Sequence, residues 1–567
     1  MFSLRFRNWV VGGFDRSNAV DFCRHGVNPL VSVFLASRGT EHIEQVREIL
    51  GDVHNELFDP FLMTDMDLAV AVIKAALSDD IKIAIYGDYD VDGITSSVLM
   101  ARWLCHIGAD FEIYIPARFG EGYGLNKPAI EALYNRGVGL VITVDCGITA
   151  VEEVSYAKQL GMKVVVTDHH ECRETLPDAD AVIDPKRPDC NYPNKVLAGV
   201  GVVFKLICAL ENDICSDEIF GLYGDLVAIG TIADVMPVTG ENRELIRRGL
   251  FVINGQPGPG LLELLREVNI APGKVTSATI GFTIAPRLNA AGRMGQTNLA
   301  LKLLMTDNRV EAVKVASELC QLNQQRRDLE SKIFEEASAM LEQTPPDGLI
   351  FLAKKGWHQG VMGIVAAKLA ELYCTPAIII SIDDCGVGRG SCRSYGSFAI
   401  FDALCSCSDI LDNFGGHEMA VGLSIAQENV DELCSRMRQY YFDNAMSMPS
   451  TDLRLDFEVE KPELLTVQNI QALEKLEPFG NGNPSPCLCM MGAELSSTQS
   501  IGDGKHTRLR LEKCGKSLDC IFFSMPSDAL GVTVGSVVDA AFEPQINEFR
   551  GRICVQLHLV DIKPSGT

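Results

Sequence analysis

The chain has 567 residues, 47% of them hydrophobic and 22% charged, and carries a net charge of −25. This composition excludes a disordered chain and allows roughly three to five domains of about 100–200 residues each. No run approaches the roughly 20 apolar residues of a membrane helix, so no membrane association is expected. The acidity argues against attraction of the whole molecule to nucleic acid, leaving a local basic groove or bound cations to hold any phosphate backbone.

Residues 1–75 carry no readable motif. The N-terminus lacks an uninterrupted apolar core and a small-residue cleavage site, which argues against a signal peptide. The 19 cysteines include no C-x-x-C, and most sit in apolar runs such as the one ending at Cys208. They read as small core residues of a reducing compartment, and the expected location is cytoplasmic. The Cys405/Cys407 and Cys487/Cys489 pairs have the wrong spacing for zinc.

From about residue 80, short apolar runs alternate with helix-like segments. IKIAIY (81–86) leads into the loop GDYDVDG and the helix-like ITSSVLMARWLCHIG. FEIYIP, NKPAIEALYNRG and LVITV follow, the last ending at Asp145. AVEEVSYAKQLG then leads to KVVVT, which ends at Asp168-His169-His170, and AVIDP follows. The pattern predicts an α/β fold with a mostly parallel sheet covered on both faces, binding ligands beyond its C-terminal strand ends.

Residues 197–250 read as helical. Leu319, Leu322, Leu329, Ile333, Ala337 and Met340 recur at helical spacing and predict one long connecting helix over 299–343. A second, smaller α/β segment over 348–445 carries the glycine-rich loops KKGWHQGVMG and FGGH. Beyond 450 the runs RLDFEV, HTRLRLE, DCIFF and ICVQLHLVDI predict an OB-like β-barrel. The expected boundaries are 1–75, 76–298 for the parallel-sheet domain, 299–345 for the connecting helix, 346–448 for the second α/β domain and 449–567 for the β domain.

Three strand ends carry the chemistry: Asp88, Asp90 and Asp92 in DYDVDG, Asp145 in VDCG, and Asp168-His169-His170. Asp234 adds a fourth acidic position inside an apolar, helix-like run. Carboxylate oxygens with one or two imidazoles suit Mn²⁺ or Mg²⁺ better than zinc. Singly, each motif has a plainer reading. The acidic loop could be a calcium loop or a solvated turn, Asp145 a helix N-cap, the histidines structural, and Asp234 a cap or ion-pair partner. Their convergence on the strand ends of one sheet favours a two-metal site, because clustered carboxylates at an apolar edge repel unless cations pair them.

The order Asp-x-Asp-x-Asp-Gly, Asp145, Asp-His-His, Asp234 resembles the DHH phosphoesterase superfamily. RFGEGYGL (118–125), LAGVGVVFKL (197–206), IADVMPVTGENR (232–243), PRLNAAGRM (286–294), FGGHEMAVGL (414–423) and EPFGNGNPSP (477–486) are similar to the RecJ exonucleases within it, over roughly residues 80–560. The resemblance implies a DHH domain, a DHH-associated domain and an OB-like barrel. It assigns Asp90 and Asp145 to one ion, and Asp92, Asp145, His169 and Asp234 to the other, with Asp145 bridging. Asp88 is left as a further ligand or a support for the ligands. His170 would face the scissile phosphate and Asp168 would orient its neighbours. Tyr86 stands where many superfamily members carry a histidine, removing one expected ligand.

The implied activity is that of a single-stranded-DNA-specific exonuclease, running 5′ to 3′ and releasing 5′-mononucleotides in DNA repair and recombination. A single-strand-binding protein and a helicase are the implied partners. Two cations about 4 Å apart would activate water and stabilise the departing 3′ oxygen, and the sequence offers no nucleophile triad instead. Arg118, Arg287, Arg293, Arg389 and Arg393 fall inside the family-like motifs. Ser391 and Arg393 could hold a terminal phosphate, and His417, after two glycines, could contact the phosphate chain. Phe522, Phe523 or Phe549 could stack on bases or pack the barrel core. A superfamily enzyme for small substrates would share the metal motifs without needing the β domain or the connector. A noncatalytic DNA-binding scaffold would be expected to have lost ligands, whereas Asp90, Asp92, Asp145, His169 and Asp234 are all present.

Overall fold

Runs of Ile, Val, Ala and Thr at 83–86, 140–144 and 163–167 form adjacent strands, as β-branched residues buried on both sides should. In this computed structural model, residues 8–51, 57–118, 124–444, 452–549 and 551–566 are described. The chain divides into two units: residues 57–449, and residues 1–56 together with 450–567.

In the first unit the sheet order is Phe111–Tyr114, Ile83–Tyr86, Leu140–Val144, Lys163–Thr167, Ala181–Ile183, all parallel. Alternate residues feed two cores. Ile83, Ile85, Leu140, Ile142 and Val165 pack on one face, and Ala84, Tyr86, Val141, Val164 and Val166 on the other. Val144 aligns with Thr167, and Thr167 with Ile183. One residue beyond that row, the three strands therefore present Asp145, Asp168 and Asp184 side by side.

Helix Val91–His106 starts earlier than expected, because Asp90 caps it by accepting from the Gly93 amide at 3.0 Å. Asp92 thus rides on the first helical turn. Asp234 is not inside a helix: helix Asp217–Ala233 stops there, and Val235 turns the chain at φ 58°. The connector is two helices, Thr297–Met305 and Arg309–Gln343. The break comes where Asn308 caps the Val310 and Glu311 amides at 2.9 and 3.3 Å. Leu319, Leu322, Ile333 and Ala337 form the buried stripe of the longer helix.

The second sheet orders as Asn413–His417, Ala420–Ala426, Val387–Arg393, Ala377–Ile382, Ile350–Lys355. Only its last two strands run parallel. FGGH is the edge strand of this sheet rather than a loop. The alternation of Val387–Arg393 puts Arg389, Ser391 and Arg393 on one face.

The other unit holds a closed barrel, ordered Leu488–Ile501, His506–Lys513, Lys516–Phe522, Arg552–Pro564, Val537–Phe549, the expected OB-like β domain. RLDFEV is not one of its five strands, although Glu458 bridges to Cys489 and Phe457 and Val459 pack in its core. Asp452–Leu455 pairs in parallel with Asn8–Val11 instead, and Arg38 binds Asp456 at 2.8 Å. Phe22, Leu30, Val31 and Phe34 from helices Arg16–Arg24 and Pro29–Ser37 share one core with Ile470, Leu488 and Phe542. Phe522 is buried in that core and Phe523 is half exposed; the Phe549 side chain lies outside the described residues. Of the cysteines, eight are buried, four intermediate and seven exposed, and all are free. The reading of cysteines as core residues therefore holds for fewer than half of them. Among the described residues, no helix is long and apolar enough to cross a membrane.

Candidate metal centre and phosphate-binding groups

The C-terminal edge of the parallel sheet gathers the predicted ligands. Asp88, Asp92, Asp145 and His169 are each at most 4% exposed. His169 Nε2 lies 3.1 Å from Asp145, 3.6 Å from Asp234 and 3.9 Å from Asp92. Three overlapping sets, Asp88/Asp90/Asp145, Asp92/His169/Asp234 and Asp145/His169/His170, have donor atoms within 4.8 Å of one another. Asp145 and His169 belong to two sets each.

Local backbone geometry explains this convergence. Asp145 adopts φ 60°, a left-handed turn that re-aims its side chain at the strand end. It does not cap the next helix, which starts at Val151 with Ala150 in the cap position. Helix Gly199–Glu211 points its N-terminus at the cluster, and its Gly199 and Val200 amides bind Asp92 at 2.6 and 2.9 Å. A Cβ on residue 199 would stand 2.6 Å from Asp145 Oδ1. Glycine is required there by close approach.

These residues fit divalent cations. Asp88 Oδ1, Asp145 Oδ1, Asp234 Oδ2 and His169 Nε2 are buried and make no hydrogen bond, a costly arrangement without a bound charge. Asp88 lies among these atoms, in one set with Asp90 and Asp145. Burial, and then the neighbouring aspartates, push the Asp88, Asp92 and Asp145 carboxyls well above the usual range. Asp234 rises to about 7, from burial and then Asp90. Burial holds His169 down at about 3, leaving its imidazole neutral and free to ligate. Tyr86, in the place of the superfamily histidine, is committed elsewhere: its hydroxyl donates to Gly124 O at 3.1 Å.

Asp168 faces the other way. It accepts from the amides of Ile148, His169 and His170 at 2.8, 2.7 and 3.2 Å, and lies 2.7 Å from His170 Nδ1. Burial alone would lower the His170 pKa, but the Asp168 hydrogen bond and charge outweigh it and push it up to about 9. His170 stacks with His417 of the second sheet, centroids 6.2 Å apart at 8°.

Arg118 packs its guanidinium over Tyr89 at 4.8 Å; residues 119–123 of its motif lie outside the described residues. Arg293 donates to Gly360 O at 3.2 Å. Burial, then the charges of Arg118, Arg326 and Arg393, bring it down to about 10. Arg393 reaches Ser391 Oγ at 3.3 Å, and a Cβ on Gly363 would meet both of these side chains. Arg118, Arg293, Ser391 and Arg393 thus gather between the two sheets of this unit. Arg287 is placed apart, donating to Thr283 O at 2.7 Å and acting on Cys320 and Arg326 of the connecting helix.

Three nearby groups escaped the sequence reading. Asp184 is buried and pushed up to about 8 by burial and then Asp168. Lys186 follows it, and His358 caps helix Gln359–Tyr373. The signal for Asp184 was its place at the end of AVI, in step with Asp145 and Asp168.

Three family models match along the chain: the DHH family N-terminal domain over residues 82–231, the DHHA1 domain over 347–441 and the RecJ OB domain over 455–561. The single-stranded-DNA-specific exonuclease RecJ of Bacillus subtilis is 41% identical over 542 residues, 94% of this chain and 68% of that protein. The protein of the same name from Dickeya dadantii is 35% identical, over 93% of this chain and 95% of its own. The chain belongs to the RecJ family. Its fold matches the crystal structure of RecJ from Thermus thermophilus in complex with Mn²⁺ at a TM-score of 0.83 and 29% identity, covering 99% of this chain and 80% of that one. The same protein solved with Mg²⁺ matches at 0.77 and 28%, covering 99% and 79%. The RecJ architecture of parallel-sheet DHH domain, second α/β domain and OB barrel therefore accounts for all three family-model matches.

Proposed function

We propose that this chain is a metal-dependent exodeoxyribonuclease specific for single-stranded DNA, hydrolysing phosphodiester bonds 5′ to 3′ and releasing 5′-mononucleotides. The observation that carries the reading is the buried set of unpartnered carboxylate and imidazole donors at one sheet edge, in a chain of the RecJ family. Asp90 and Asp145, with Asp88, would hold one Mn²⁺ or Mg²⁺. Asp92, Asp145, His169 and Asp234 would hold the second. Such a pair activates water and stabilises the departing 3′ oxygen.

The chain's own groups do the rest. Asp168 fixes the ring of His170 and keeps its proton, so that a charged imidazole faces a phosphate oxygen. Arg118, Arg293, Ser391 and Arg393 receive the 5′-terminal phosphate, a fork and hydroxyl suited to a dianion. His417 contacts the sugar–phosphate chain beside His170. Arg287 supports the strand path from the connecting-helix side. We read the functional segments as residues 76–298, 299–345, 346–448 and 449–567. The enzyme works in the cytoplasm in DNA repair and recombination, on strands exposed by a helicase and held by a single-strand-binding protein.

The test is release of label from a long 5′-labelled single strand, its blunt duplex and a dinucleotide, each with Mn²⁺, Mg²⁺ or EDTA. Metal-dependent release of the 5′-mononucleotide is expected from the long single strand, more slowly from the dinucleotide, and not from the blunt duplex. Equal rates on duplex and single strand would contradict the substrate, and full activity in EDTA the chemistry.

A further inference from the structure

Lys186 stands beside the metal cluster and takes no part in the chemistry above. After strand Ala181–Ile183 the chain turns, and Asp184 Oδ1 accepts the Lys186 amide at 2.7 Å. That turn directs the lysine back along the sheet edge, where its Nζ lies 3.1 Å from Glu171, the residue after His170. The Glu171 side chain is 74% exposed, so this ion pair is weak and exchangeable. It parks the ammonium beside the cluster without committing it.

The charges in the cleft divide into two neighbourhoods. Arg118 acts on Asp88, Tyr89, His358, Arg293 and Arg393. Lys186 acts on His169, Asp184, Asp234 and His417. Asp88 of the cluster falls in the first neighbourhood and Asp234 in the second. The arginine side already has Ser391 and its fork for a terminal phosphate. The lysine side has the stacked His170 and His417 and this ammonium. A strand whose 5′ end sits among the arginines, with its first internal phosphate on the cluster, must leave past His417 and Lys186.

Building on the function proposed above, we infer that Lys186 holds the phosphate immediately 3′ of the scissile one. A flexible ammonium suits this role better than a guanidinium fork. It is a point charge that can follow successive phosphates without reading base or register. Glu171 gives the ammonium a resting partner between cycles.

The experiment uses the Mn²⁺-loaded enzyme and its Lys186→Ala and Lys186→Arg variants. The substrates are a 5′-phosphorylated dinucleotide, trinucleotide and 20-mer, plus a trinucleotide whose second internal linkage is an uncharged methylphosphonate. The dinucleotide has a scissile phosphate but none beyond it. Lys186→Ala is expected to lower kcat/KM about tenfold on the trinucleotide and 20-mer, mainly through KM, and to leave the dinucleotide rate within about twofold. Lys186→Arg should recover most of the loss. The methylphosphonate should slow the wild type to the level of Lys186→Ala and leave that variant unchanged. The dinucleotide rate doubles as the check on folding. An equal loss on all substrates, or additive losses from the variant and the methylphosphonate, would overturn the assignment. Wild-type hydrolysis of the 20-mer tests the function itself, whereas the ratios between substrates test Lys186.

Discussion

Gly199 and Asp145 touch across the metal cluster so closely that a Cβ on residue 199 would stand 2.6 Å from the Asp145 carboxylate oxygen. The same glycine donates its amide to Asp92. One helix N-terminus therefore spaces two ligands at once. Gly199→Ala should shift Asp145, cost about 1–3 kcal/mol in stability and raise the Mn²⁺ concentration needed for half-maximal activity. Metal titration of the rate, with thermal melting alongside, checks both.

Asp145→Asn separates chemistry from structure. The residue shares its donor oxygens with both halves of the cluster, so its loss should lower kcat about a thousandfold or more, roughly 4 kcal/mol of barrier. Asparagine tolerates the left-handed turn, and no helix cap is lost. Without metal the variant should melt higher than the wild type, because one buried repelling carboxylate is gone. A lower metal-free melting temperature, or near-normal cleavage, would contradict the bridging role.

Bound metal should reverse the sign of that comparison. EDTA is expected to abolish cleavage, with Mn²⁺ or Mg²⁺ restoring it. Saturating Mn²⁺ should stabilise the wild type by about 2.7 kcal/mol at a hundredfold excess over Kd, but stabilise Asp145→Asn much less. Calorimetry with and without the ion measures the difference.

Asp168→Asn keeps the amide-accepting geometry but removes the charge facing His170. The rate should fall about a hundredfold, as loss of a positioned proton donor does, with metal affinity nearly unchanged. A large loss of Mn²⁺ affinity would show instead that Asp168 serves the ligands.

Arg393→Ala should raise KM for a 5′-phosphorylated strand more than it lowers kcat, since a ground-state phosphate contact acts on binding. On a 5′-hydroxyl strand the variant and wild type should converge. Steady-state kinetics on the two substrates decides it.

Much of the site was legible because chemistry interrupts an apolar pattern. Asp145 and Asp168 each end a run of Val, Ile and Thr, where a charge has no structural reason to be. Asp184 ends a shorter run and precedes proline, which reads as an ordinary turn, and only the register of Val144, Thr167 and Ile183 reveals its place. FGGH reads as a loop because glycine seldom builds strands, yet its edge position tolerates it. The break at Asn308 carries an N-cap signal that apolar spacing on both sides masks. The long barrel strands Leu488–Ile501 and Val537–Phe549 were missed because bulges interrupt their alternation. The N-terminal helices could not be placed at all, since their core partners lie more than 400 residues away.

That distance sets an order of events on the ribosome. Asn8 meets Asp452 across 444 residues of chain, and Phe22, Leu30 and Phe34 find their core only when the barrel strands have emerged. Residues 57–449 hold their own apolar interiors and can close while synthesis continues. The first helices must wait, with their apolar faces open, until the barrel strands have been made. A chain cut short within the barrel would thus carry a nuclease unit that is finished and a head that is not, leaving quality control a single exposed end to grasp.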